Sequence, residues 1–321
     1  MKVAFVGKGG SGKTTLASLF AAYLAASARP VLAIDADINQ HLAVALGARE
    51  EEAAALPTLG DHLPLIKDYL RGDNPRIPSA EAMIKTTPPG RGSRLLTPMA
   101  DTPISAACFR EVGGVRLAVT GQFADDELGV ACYHAKVGAA ELLLNHLVDG
   151  AGEYVVMDMT AGADAFASGL FTRFDVTFLV CEPTRRSLGV YRQYRDYARD
   201  FGVRLAVVGN KVADAEDVDF LRAEVGDGLL GWVTGSGHVR AAERGRPRPI
   251  DQLEPENLAT LRAMWELVDA TPRDWARYQA QAVEFHLRNA RAWGNDRVGT
   301  DLAAQVDPDF VPGPEHLAGA H

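Results

Sequence analysis

Gly7-Lys8-Gly9-Gly10-Ser11-Gly12-Lys13-Thr14-Thr15 follows directly on the apolar run Val3-Ala4-Phe5-Val6. The pattern is G-x-x-x-x-G-K-[ST], with an additional lysine at Lys8. A short buried strand, a glycine turn and an amphipathic helix over Lys13–Ser27 stand in the order that phosphate binding requires. Glycines let backbone N–H groups close around phosphate oxygens without Cβ clashes. The helix N-terminus contributes partial positive charge. Lys13 supplies a point charge to β- and γ-phosphates, and the Thr14 hydroxyl can ligate Mg²⁺. Strand, loop and helix together make a P-loop.

Working outward from this loop, short Val/Ile/Leu-rich runs alternate with helix-length segments. Strands are expected at Val3–Gly7, Val31–Asp35, Leu117–Thr120, Tyr154–Asp158, Thr177–Cys181, Leu205–Gly209 and Leu229–Val233. Further helices are expected at Ala139–Leu147, Leu188–Phe201, Ala215–Val225 and Pro255–Ala270. Apolar strands covered by helices on both faces make an α/β, doubly wound, mostly parallel sheet. Residues 1–270 read as one such domain. Within it, about residues 49–114 form a polar, Pro- and Gly-bearing insertion that includes Thr86-Thr87-Pro88-Pro89-Gly90-Arg91-Gly92-Ser93. A structureless loop that long is unusual, so short helices are expected there, Thr58–Tyr69 among them, along with a surface for a partner. Residues 271–321 read as a helical extension over Trp275–Trp293. A Gly/Pro/Asp-rich tail follows, either poorly ordered or laid on the body as an arm.

The 321 residues carry a net charge of −9, which argues against a protein built to coat nucleic acid or an acidic membrane. No apolar run reaches the roughly 18–20 residues of a membrane helix. The chain enters a strand at Met1-Lys2-Val3, so no leader is expected. Three scattered cysteines (Cys108, Cys132, Cys181) make no disulfide framework, and a reduced, cytoplasmic setting is expected.

Two further strands end in acids. Ala33-Ile34-Asp35-Ala36-Asp37-Ile38-Asn39-Gln40 places two carboxylates at the rim where open α/β sheets bind ligands. Such an acid can orient metal-bound water or position water against a γ-phosphate; alternatively, both acids cap the next helix. Tyr154-Val155-Val156-Met157-Asp158-Met159-Thr160-Ala161-Gly162 ends in the Walker B manner, with Asp158 holding a metal-bound water. Gly162 lets a backbone N–H approach the γ-phosphate and sense it. In Val207-Val208-Gly209-Asn210-Lys211, the Asn210 amide can meet a purine edge while the Lys211 stem covers the ring face.

With Lys8, Asp37, Ala161-Gly162 and Asn210 in place, the chain resembles the deviant-Walker-A ATPases over roughly residues 1–270. That group includes the ParA and MinD ATPases, the nitrogenase iron protein and the CooC-like nickel-insertion ATPases, and motif layout is nearest the last. The resemblance implies that ATP, held by Gly7–Thr15 with Gly162, Asn210 and Lys211, is hydrolysed by a homodimer that closes over two nucleotides. Lys8 would reach the partner's phosphates, Asp37 would be the hydrolytic residue beside Lys13, and Thr14, Asp37 and Asp158 would serve Mg²⁺. Many relatives read Asp-Pro where this chain has Asp37-Ile38.

Cys132-Tyr133-His134 falls where nickel-insertion relatives carry Cys-x-Cys. One Cys132 and one His134 from each subunit would give four ligands for Zn²⁺ or Ni²⁺ on the dimer axis. The resemblance thus implies a nucleotide-driven switch that assists metal or cofactor insertion into a client, a metalloenzyme. The alternative is a ParA/MinD-type positioning or regulatory ATPase acting on a protein scaffold or DNA. The tail Pro308-Asp309-Phe310-Val311-Pro312-Gly313-Pro314 is no amphipathic membrane helix.

Overall fold

A computed structural model describes residues 1–37, 39–121 and 133–317, with side chains described except at 133–135, 163 and 164. Eight strands form one sheet: β1 (Lys2–Gly7), β2 (Val31–Ala36), β3 (Arg110–Val112), β4 (Val115–Val119), β5 (Tyr154–Met159), β6 (Val176–Cys181), β7 (Leu205–Val212) and β8 (Leu229–Thr234). Their order is β3-β4-β2-β5-β1-β6-β7-β8. All neighbours are parallel except β3, which pairs antiparallel with β4.

Every residue of β1, β2, β5 and β6 is buried, because helices cover both faces. Alternate strand residues divide the core. Ala4, Val6, Leu32, Ile34, Val155 and Met157 pack with helices Leu63–Arg71, Tyr133–His146 and Arg185–Ala198. Val3, Phe5, Val31, Ala33, Tyr154 and Val156 pack with helices Lys13–Ala26 and Pro255–Asp269. The seven expected strands are all present. β3 was not expected: it is three residues of mixed polarity, joined to β4 through Gly113 and Gly114, both at positive φ.

The 49–114 stretch holds helices Glu50–Ala54, Leu63–Arg71 and Pro103–Cys108. The expected helix begins at Leu63 rather than Thr58, because the Thr58 hydroxyl accepts from Asp61 N (3.1 Å) in a turn and Pro64 sets the first helical turn. Residues 86–90, within the stretch expected to offer a surface to a partner, are buried. They lie under the C-terminal extension, where helix Trp275–Asn289 runs on through the wider turn Ala290–Gly294. There Gln279 Nε2 donates to Pro89 O (3.1 Å) and Gln305 Nε2 to Ala82 O (2.9 Å), and the Arg91 guanidinium grips Asp307 at 2.8 and 2.9 Å. His286 is wholly buried between the Thr86 hydroxyl (3.3 Å) and Leu302 O (3.1 Å). The described part of the tail is therefore an arm on the body. At the opposite rim from the P-loop, Lys2 and Arg273 meet Asp149, and Arg273 also meets Asp175 at 2.6 Å. Among the described residues no helix is long and apolar enough to cross a membrane.

Candidate functional site

β1 lies between β5 and β6, so the chain leaving it at Gly7 enters the crevice where the sheet's connections diverge, the usual ligand site of an open α/β sheet. The loop Lys8–Gly12 leads into helix Lys13–Ala26. Gly10 (φ 79°) and Gly12 (φ 91°) adopt left-handed backbone that other residues avoid. A Cβ on Gly7 would stand 2.6 Å from both Ser11 Oγ and Val180 O, so the loop's root has no room for one. At its crest, a Cβ on Gly9 or Gly10 would meet nothing within 4 Å, leaving the cradle open above the backbone. Ser11 is buried, whereas Lys8 and Thr15 are half-buried and Lys8 has no ion pair among the described residues.

β7 fastens this loop. Asn210 Nδ2 donates to Ser11 O (2.7 Å), and a Cβ on Gly12 would collide with that amide. Lys211, itself at φ 59°, donates from Nζ to Gly10 O (2.7 Å) and pairs with Glu182 (2.6 Å). Both residues are therefore tied to the loop. Glu182 was not anticipated. The available signal was its position just past Cys181, whose neighbour across the sheet is Gly209.

Three carboxylates gather at the same rim. Lys13 Nζ pairs with Asp37 Oδ2 at 2.5 Å, both side chains being nearly buried. Asp37 Oδ1 also accepts from Asn39 N at 3.1 Å. The Thr14 hydroxyl donates to Asp158 Oδ2 at 2.5 Å. Burial raises Asp158 to about 6, against the opposing pull of the Thr14 hydrogen bond and Lys13. Asp158 Oδ1 is buried without a hydrogen-bond partner among the described residues. A buried, unpartnered carboxylate oxygen beside a hydroxyl and a second carboxylate is a hard oxygen-donor set, and it fits Mg²⁺.

Asp35 behaves differently. Its oxygens accept from Leu42 N (2.8 Å) and Asp37 N (3.2 Å), closing the turn into helix Leu42–Ala45. Burial and the neighbouring Asp158 push its carboxyl up to about 8. Of the two strand-end acids, Asp35 thus takes the capping role and Asp37 faces the loop lysine.

Gly162 precedes helix Ala163–Ser168 at φ −79°, and a Cβ there would come no nearer than 3.5 Å to Thr160. The backbone does not demand a glycine at that position. Ile38 and Cys132 lie outside the described residues, and His134 is in the first turn of helix Tyr133–His146 without a described side chain. Among the described residues no group of three or more His, Cys, Asp or Glu could hold a metal. Burial raises the Cys108 thiol to about 11 and the Cys181 thiol to about 12, leaving both unreactive.

Residues 3–270 match the family model described as the CobQ/CobB/MinD/ParA nucleotide binding domain. The chain is 31% identical over 248 residues to the carbon monoxide dehydrogenase accessory protein CooC of Rhodospirillum rubrum, covering 76% of this chain and 87% of that one. It is 30% identical over 257 residues to an ATP-binding protein of Methanocaldococcus jannaschii, covering 78% and 92%. A ParA family ATPase structure from Chlorobium tepidum superposes with a TM-score of 0.56 at 14% identity, over 83% of this chain and 97% of that one. The cell division ATPase MinD of Pyrococcus furiosus gives 0.53 at 15% identity, over 83% and 98%.

Proposed function

We propose, from the premise that this chain belongs to the CobQ/CobB/MinD/ParA nucleotide-binding family, that it is an ATPase whose hydrolysis drives a dimeric switch. The observation that carries this reading is the Lys13–Asp37 pair, set beside Thr14 and Asp158 on the open glycine cradle. An entering γ-phosphate competes for the Lys13 ammonium. Asp37, relieved of its cation, is then placed to hold the attacking water. Mg²⁺, held by Thr14 and Asp158 with Asp37 nearby, would supply charge neutralisation to the β- and γ-phosphates. Lys8 of one subunit completes the partner's pocket, much as an arginine finger does. Loss of the γ-phosphate restores the Lys13–Asp37 pair and releases the turns at Asp37 and Gly162.

The client is read from similarity to CooC, an accessory protein of carbon monoxide dehydrogenase. By that analogy the switch assists metal or cofactor insertion into a metalloenzyme, with Cys132 and His134 as the Zn²⁺ or Ni²⁺ ligands on the dimer axis. ATP turnover rising with protein concentration, a dimer formed with ATP·Mg²⁺, and loss of both in Lys8→Ala are the expected results. A protein that stays monomeric with saturating ATP, or a Lys8→Ala variant with undiminished turnover, overturns the reading. Metal analysis of the ATP-bound protein, with Cys132→Ser as control, tests the cargo. One metal per dimer supports insertion, and none supports the positioning alternative.

A further inference from the structure

A cavity of about 720 Å³, lined by no residue of the P-loop, lies between helix Leu63–Arg71, the 78–85 segment and the C-terminal extension. Its size falls within the usual range of small-molecule sites, roughly 300–1,000 Å³. One wall is apolar: Met83 and Ile84 face Val298 and Trp293, and the last three belong to a cluster that includes Leu302. Trp293 is held in place by its Nε1–H, which donates to Asn289 Oδ1 at 2.9 Å. The Arg297 guanidinium stands 5.9 Å over its ring.

The other wall is cationic, although the chain as a whole is acidic. Lys67, Lys85 and Arg297 line the cavity against a single lining acid, Glu81. Among the described residues none of the three cations is in an ion pair. Lys85 is partly balanced by the buried Glu141 behind it. Lys67 and Arg297 are not: burial, and then the Arg297 charge, lower the Lys67 ammonium, with Glu81 only partly opposing. A half-buried lysine and an exposed arginine that repel each other at a cavity, beside an oriented indole, suit an anion with a flat apolar part. The far wall, from Asn289 to Thr300, lies beyond residue 270, where the family match ends.

We propose that this cavity binds an organic anion, with a phosphate or carboxylate head between Lys67 and Arg297 and a planar ring against Trp293. The site does not depend on the ATPase reading. It is tested by calorimetric titration of the full-length protein, with Mg·ADP added and again in a Lys13→Ala background, to keep the probe out of the glycine loop. The probes are 1-naphthyl phosphate, 1-naphthoate and neutral 1-naphthol.

One equivalent of at least one anion is expected to bind, with the tighter of the two naming the head group, and 1-naphthol is expected to bind at least about tenfold more weakly. The Lys67→Met/Arg297→Gln variant should lose about tenfold or more in affinity with an unchanged circular dichroism spectrum. Val298→Trp keeps both charges, fills the volume and should abolish binding. Failure of both anions to bind at millimolar concentration, equal binding of 1-naphthol, or undiminished binding by either variant overturns the proposal.

Discussion

Asp35 on β2 and Asp158 on β5 occupy the same register of two adjacent parallel strands, and both are wholly buried. Two carboxylates so placed cannot both ionise cheaply. Thr14 and Lys13 favour the charged form of Asp158, whereas Asp35 has no cation beside it and its carboxyl rises higher. At neutral pH the pair therefore divides its roles. Asp158 is an anion available to a metal, and Asp35 is a neutral group that shapes the turn before Leu42.

This division gives a pH dependence with a definite sign. Because the carboxyl of folded Asp35 titrates near 8, above its unfolded value of 3.8, folding takes up a proton across that window. The Asp35 contribution to stability in Mg²⁺-free buffer is expected to decline as pH rises from about 4 to about 8. Asp158 and Glu141 add to the decline up to about 6 and about 7, and the buried His146 and His286 oppose it at the acid end, so Asp35→Asn should flatten the curve most clearly above about 7. Urea denaturation at a series of pH values checks this, and an unchanged slope in Asp35→Asn would contradict it.

Lys13→Ala leaves the Asp37 carboxylate buried without its cation. The expected cost is about 3 kcal/mol of stability, most of it recovered by adding Asp37→Asn. ATP turnover should be lost in both the single and the double variant, since the phosphate contact is gone. A double-mutant cycle by chemical denaturation, with phosphate release measured alongside, separates the two effects.

Gly12→Ala meets two penalties at once, left-handed backbone and collision with the Asn210 amide. A loss of about 1–3 kcal/mol is expected, with weakened ADP binding by calorimetry. Asn210→Ala on that background should relieve the collision while the backbone strain remains, so stability recovers only in part. Full recovery would show that strain at Gly12 is negligible.

Gly169 caps helix Ala163–Ser168 at φ 90°, and a Cβ there would strike the Phe285 ring of the extension. Gly169→Ala should cost about 2 kcal/mol or more and hasten proteolysis within residues 299–317. Gly299→Ala is the control: its backbone is also left-handed (φ 77°), but nothing lies within 4 Å, so it should pay only about 1 kcal/mol of strain. Equal effects from the two substitutions would rule out the clash as the cause.

The sheet was legible in the sequence because its central strands are apolar on both faces and end at glycines or acids. The P-loop was legible because its chemistry admits few residues. β3 was hidden because a three-residue edge strand carries too little periodicity to read. The helix Tyr133–His146 begins six residues before its expected start, since Tyr133 and His134 give no local signal of a helix start. Above all, Thr86–Ser93 read only as part of a polar insertion, yet Thr86, Thr87 and Pro89 are bonded to His286, Gln305 and Gln279 from the far end of the chain. Complementarity over such separations leaves no local pattern. Asn210 shows the same limit within the site: its position at a strand end was readable, whereas its bond to the P-loop was not.

The bond between Thr87 and Gln305 spans 218 residues of sequence, and the Arg91–Asp307 clasp spans 216. During synthesis, then, the nucleotide-binding body can be assembled while the seat for the arm still stands bare. Met83, Ile84 and the hydroxyls beside them must wait for a cover translated much later. Chain shortened after residue 270 would carry that seat permanently open to water, to proteases and to other unfinished chains.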